Sequence, residues 1–243
     1  GAGALAACGF QPLGWWPATI LGIAWLIELI ARAPRASRAF QLGWLFGLAH
    51  FTIGDNWIAT AFTYQAEMPA WLGGIAVVLL SLYLALFPAL ATLATWLLAK
   101  RWGRVAGERP NLHPASVGPA LAGFWIVTEW MRGWVFTGFP WNPLGVALLG
   151  PFSSQGLAVL TPWIGTYGLS GVLVLLCAAF HRLMREAIAA RGTTRLAWTV
   201  AVLALSAALA LQIVLPARYL AREEGGIPFT LIQPDLRQET LED

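Results

Sequence analysis

The basic residues of this chain are grouped, and the grouping decides its class. Arg32, Arg35 and Arg38 share one short segment. Lys100, Arg101, Arg104 and Arg109 share a second, and Arg182, Arg185, Arg191 and Arg195 a third. Apolar stretches separate them: Gly1–Phe10, Pro17–Ala31, Phe40–Trp57, Trp71–Ala99, Gly118–Trp134, Gly156–His181 and Leu196–Leu215. The segments Ile58–Ala70 and Val135–Gln155 carry no base at all. A helix needs about 20 apolar residues to cross roughly 30 Å of hydrocarbon. Loops rich in Lys and Arg stay on the cytoplasmic side. The pattern predicts an all-α polytopic membrane protein with about seven transmembrane helices, the first one partial. The three basic loops are cytoplasmic, and the chain emerges on the outer side after Leu215.

Composition removes the competing classes. Of the residues, 58% are hydrophobic and only 11% charged, against roughly 25% charged in a soluble domain. That leaves too little polar surface for a water-soluble enzyme, a disordered chain or a coiled coil. Two cysteines exclude a disulfide scaffold. The net charge of +3 comes from the loop arginines and needs no nucleic-acid partner.

Proline and glycine set the irregularities. Pro17 suits the first turn of its helix. Pro88 inside Trp71–Ala99 predicts a kink. Pro162, Gly165, Gly168 and Gly171 predict a break near Pro162, as a re-entrant piece followed by the true span. The transmembrane domain covers residues 1–215 and a linker residues 216–226. Residues 227–243 begin an α/β domain, because Ile227–Gln233 reads as a buried strand stopped by Pro234. Both ends of the chain read as cut, since Gly1 is not Met and the last residues stop in a polar stretch.

Four constellations are candidates for chemistry. Glu129 and Arg132, three apart, share a helix face. They form either a structural ion pair near the outer end or a pair that anchors the following loop or meets a lipid headgroup. Phe139, Pro140 and Trp141 lie in a segment whose prolines and glycines cannot continue a helix. Such backbone survives at membrane depth only when buried by protein or lining a cavity. It is either an interfacial cap or the wall of a lipid-accessible cavity. Asn56 and Trp57 end the third span, as a helix cap or a substrate contact. Gly168-Leu169-Ser170-Gly171 has the form of a serine-nucleophile string, which needs a base within hydrogen-bond reach. His181 lies about 16 Å away along the same helix, so small-residue helix packing explains the string better, as it does Gly43–Gly47. Cys8 and Cys177 sit in apolar spans as inert thiols, and the three histidines have no metal-ligand spacing.

Thr128-Glu129-Trp130-Met131-Arg132-Gly133-Trp134-Val135-Phe136-Thr137-Gly138-Phe139-Pro140-Trp141 resembles the signature stretch of bacterial apolipoprotein N-acyltransferases. Trp16-Pro17-Ala18, Asp55-Asn56-Trp57 and Phe229–Asp235 resemble further parts of that family, in the same order. The resemblance implies an enzyme of the bacterial inner membrane with a periplasmic nitrilase-like domain. A phospholipid is its acyl donor and the N-terminal diacylglyceryl-cysteine of a lipoprotein its acceptor. No cofactor and no nucleic acid are involved, and the surrounding partners are membrane lipids. The family's catalytic Glu, Lys and Cys belong to the nitrilase domain, beyond Asp243, and no residue here matches them. The resemblance carries over only to Glu129, Arg132, Phe139, Pro140 and Trp141, as supports of the domain interface or lining of a lipid entrance. On this reading the 243-residue chain is inactive alone. A transporter-like domain or a non-enzymatic membrane anchor is the alternative, although no inverted repeat is visible.

Overall fold

The computed structural model of the chain describes residues 1–64, 69, 71–105, 114–135, 138–149 and 156–214. Linker 216–226 and the strand expected within 227–243 lie outside the described residues. Among the described residues the chain is helical, with no strand. Nine α-helices are described: α1 (Ala2–Ala7), α2 (Trp16–Ala31), α3 (Ala36–Gly54), α4 (Trp57–Ala61), α5 (Trp71–Leu84), α6 (Leu86–Val105), α7 (Pro114–Arg132), α8 (Thr161–Ala189) and α9 (Gly192–Val214). Short 3-10 turns occupy Phe62–Tyr64, Leu144–Leu148 and Gly156–Leu160.

Three helical stretches are long and apolar enough to cross a membrane by themselves: Trp71–Gly103, Gly156–Ala189 and Gly192–Leu211. Helix α2 is shorter, with 16 residues, or about 24 Å at 1.5 Å per residue. It lies inside the bundle, and Ile23, Leu26, Ile27 and Ile30 are fully buried. Helices α3 and α7 carry buried polar side chains and pack among the others. The protein is an all-α membrane protein. Helix α1 packs on α2 and α3, α3 on α6, α6 on α7, α7 on α8, α8 on α2, and α9 on α8.

Close approach of α3 and α6 depends on absent side chains. A Cβ on Gly43 would stand 2.1 Å from Thr92 Oγ1 and 2.6 Å from the Pro88 carbonyl oxygen. A Cβ on Gly47 would stand 2.8 Å from Ala85 Cα. Thr92 uses the proximity by donating to the Ala39 carbonyl at 2.9 Å. In hydrocarbon such contact replaces the hydrophobic drive that water would supply.

The expected kink at Pro88 appears as the break between α5 and α6 at Ala85. Proline lacks the N–H that would reach the Leu84 carbonyl, and its ring crowds that carbonyl. The break expected near Pro162 lies instead at Gly165, whose φ of 70° and ψ of 172° interrupt α8. Pro162 stands in the first turn of α8, where no N–H is required and proline is tolerated. Glycine alone adopts the Gly165 conformation at no steric cost. Ile58–Ala70, read as a plain loop, starts with α4 and a 3-10 turn. Helices α7 and α9 each begin four residues before the spans read from hydropathy.

Side-chain bonds tie the basic segments together at one end. The Trp96 indole N–H donates to the Ala33 carbonyl at 2.9 Å, and Arg185 Nη1 donates to Glu28 at 3.1 Å. The candidate site lies at the opposite end, where Asn142 bonds Asp55.

Candidate functional site

Glu129 and Arg132 stand on the last turn of α7 and are buried to 1% and 2% exposure. Arg132 Nη2 lies 3.5 Å from Glu129 Oε1. The same oxygen accepts the Leu144 backbone N–H at 2.7 Å and the Trp125 indole N–H at 3.0 Å. A buried carboxylate is tolerable only when paired and hydrogen-bonded, and this one is both. Leu144 belongs to the irregular segment after α7, so Glu129 holds that segment against the bundle. Beneath the guanidinium lies the Phe51 ring, 5.0 Å from Arg132 Cζ to its centroid, within cation–π range.

A second carboxylate holds the same segment from another helix. Asp55, the residue that closes α3, is 1% exposed. Its Oδ1 accepts from Asn142 Nδ2 at 2.7 Å. Trp141 and Asn142 both adopt positive φ, 39° and 46°. Asn enters the left-handed region readily and Trp does so only at a cost. The Asp55 bond to Asn142 and the Glu129 bond to Leu144 hold the backbone there. A third attachment runs from the Gly145 N–H to Ser170 Oγ at 2.8 Å. Ser170 is therefore a buried acceptor for this loop, beyond the small packing residue read from the sequence.

The loop presents an aromatic pair. Phe139 and Trp141 meet edge to face, with centroids 4.7 Å apart. Phe139 is 48% exposed, and Pro140 is exposed as well. Trp130 and Trp134 form a second pair, with centroids 5.1 Å apart. Of the residues singled out in the sequence, the structure joins Glu129 with Arg132, and Phe139 with Trp141. Asn56 and Trp57 are turned to the surface. Asn56 precedes α4 but makes no side-chain cap bond to it, so a cap does not explain it.

Sequence reading missed Asp55 as a ligand of Asn142, because 87 residues separate them and no local spacing signals the pair. It also missed the Trp125 indole, although Trp125 and Glu129 are four apart and share a helix face. At the basic end it missed Glu28, which binds Arg32, His181 and Arg185.

The arrangement supports a loop. Ser170 Oγ is committed to the Gly145 amide, and Cys177 is fully buried. Among the described residues no group of three His, Cys, Asp or Glu side chains could hold a metal ion.

Fold and site together define a polytopic helical membrane domain, closed at one end by an aromatic loop hung on buried carboxylates. Residues 2–179 match the family model described as the apolipoprotein N-acyltransferase N-terminal domain. The chain belongs to that family. It is 38% identical over 184 residues to the apolipoprotein N-acyltransferase of Ralstonia nicotianae, covering 74% of this chain and 33% of that protein. It is 34% identical over 201 residues to that of Chromobacterium violaceum, covering 81% of this chain and 36% of the relative. With that of Rhodopseudomonas palustris it shares 34% over 220 residues, covering 87% and 37%. The chain thus spans about a third of the length of the curated relatives it matches.

Proposed function

We propose that this chain is the membrane portion of an inner-membrane apolipoprotein N-acyltransferase. The complete enzyme transfers an acyl chain from a phospholipid to the N-terminal diacylglyceryl-cysteine of a lipoprotein. A cysteine thiolate, absent from this chain, attacks the acyl ester carbonyl and releases a lysophospholipid. The acceptor's α-amino group then attacks the thioester and expels the thiolate. A glutamate base and an oxyanion-stabilising lysine belong to the same downstream domain, which starts within residues 227–243 on the periplasmic side. The membrane portion supplies access to lipid. Phe139, Pro140 and Trp141 form its wall at the outer interface, Glu129 and Arg132 hold that wall, and Asn56 and Trp57 flank it. The family match over residues 2–179 carries this reading, and the positive-inside charge pattern supports the orientation.

The test is the acylation state of a lipoprotein N-terminus, read by mass spectrometry in cells depleted of their own N-acyltransferase. The 243-residue chain alone leaves the amino group free. The same chain joined after residue 226 to the C-terminal part of the Ralstonia relative acylates it. Acylation by the chain alone overturns the assignment of the chemistry to a downstream domain. A membrane-inserted fusion that leaves the amino group free overturns the role of this chain.

A further inference from the structure

At the end opposite the aromatic loop, α2 and α8 flank an open cavity of about 460 Å3 lined by Glu28, Arg32, His181, Met184, Arg185 and Ile188. Glu28 organises it. Oε1 accepts from Arg32 Nε, and Oε2 accepts from Arg185 Nη1 at 3.1 Å and faces His181 Nε2 at 2.7 Å. The carboxylate is one-fifth exposed, whereas the arginine side chains are 77% and 51% exposed. Two guanidinium groups against one carboxylate leave one positive charge uncompensated. Arg182, exposed on the same helix, adds a positive charge, and the exposed Glu186 offsets one.

The lining also contains apolar surface that a water-facing ion cluster does not need. Ile188 is 71% exposed and shares the cavity with both arginines, as does Met184. Cationic groups beside exposed aliphatic ones match the boundary between headgroups and acyl chains. Guanidinium groups already oriented by a carboxylate suit the tetrahedral oxygens of a phosphate.

We propose that this cavity binds the headgroup of an anionic phospholipid from the leaflet that faces the basic loops. The lipid phosphate meets Arg32 and Arg185, and the start of an acyl chain lies along Ile188 and Met184. The site tethers α2 to α8 at that end of the bundle.

The experiment is native mass spectrometry of the purified 243-residue chain in detergent, with phosphatidylglycerol, phosphatidylcholine or inorganic phosphate added. Phosphatidylglycerol is retained preferentially, and inorganic phosphate produces no adduct. Arg32→Gln combined with Arg185→Gln weakens phosphatidylglycerol retention roughly tenfold or more, the loss of two charge-assisted contacts. Arg35→Gln, which removes a charge outside the cavity lining, leaves it unchanged. Ile188→Asp, at an exposed position that does not threaten folding, weakens phosphatidylglycerol and spares phosphatidylcholine. Equal retention of the two lipids, an equivalent adduct with inorganic phosphate, or full retention by Ile188→Asp overturns the proposal.

Discussion

Replacing Glu129 by alanine removes one oxygen that serves three partners. The Coulomb attraction across the 3.5 Å contact to Arg132 amounts to about 5 kcal/mol at an effective dielectric of 20. The Leu144 amide and the Trp125 indole lose their acceptor, at about 1–3 kcal/mol for each buried donor left alone. These terms overlap, because the loop relaxes and admits water. Breaking a buried pair by deleting one partner costs about 3–5 kcal/mol, and Glu129→Ala is expected near 4 kcal/mol. Glu129→Gln keeps an oxygen for both N–H donors and loses only the charge, so about half that loss is expected. Adding Arg132→Met to Glu129→Ala removes the stranded cation and restores at least about 1 kcal/mol. Unfolding in mixed micelles, followed by tryptophan fluorescence, measures all three. A loss below about 1 kcal/mol for Glu129→Ala, or additive losses in the double variant, refutes the reasoning.

Asn142→Ala loses the Asp55 bond and sets at a φ of 46° a residue that tolerates the left-handed region less well than Asn. It costs about 2 kcal/mol, and Asn142→Gly costs less because glycine accepts that φ; the same unfolding titration ranks them. Gly43→Ala drives a methyl into Thr92 and the Pro88 carbonyl, which costs about 1–3 kcal/mol. Gly123→Ala, with nothing within 4 Å of the new Cβ, leaves stability equal or higher, as paired thermal melts will show. In a variant lacking Cys8 and Cys177, an impermeant maleimide applied to intact spheroplasts labels Pro140→Cys. It labels Arg191→Cys only after permeabilisation, and the reverse result inverts the topology.

Much of the bundle was legible because membrane helices announce themselves locally. Apolar length and the breaks at the arginine groups located α2, α3, α8 and α9 to within a few residues. The Pro88 break was readable, since a missing donor is a property of one residue. Gly165 was not distinguished from Pro162, because proline in a first turn and glycine at a break leave similar local signals. The i, i+3 spacing exposed the Glu129–Arg132 pair. Asp55 with Asn142, and Glu28 with His181 and Arg185, stayed hidden. Those contacts join helices 87, 153 and 157 residues apart, and their register depends on how the helices pack. Ser170 was read as a spacer for the same reason: its acceptor role exists only once Gly145 arrives beside it.

One loop hangs from three helices by Asp55, Glu129 and Ser170, which bond Asn142, Leu144 and Gly145 in turn. Residues 142–145 of a single segment thus lace together α3, α7 and α8. None of the three helices can shift against the other two without breaking one of these bonds, so the loop is a clasp on the bundle as well as a surface of its own.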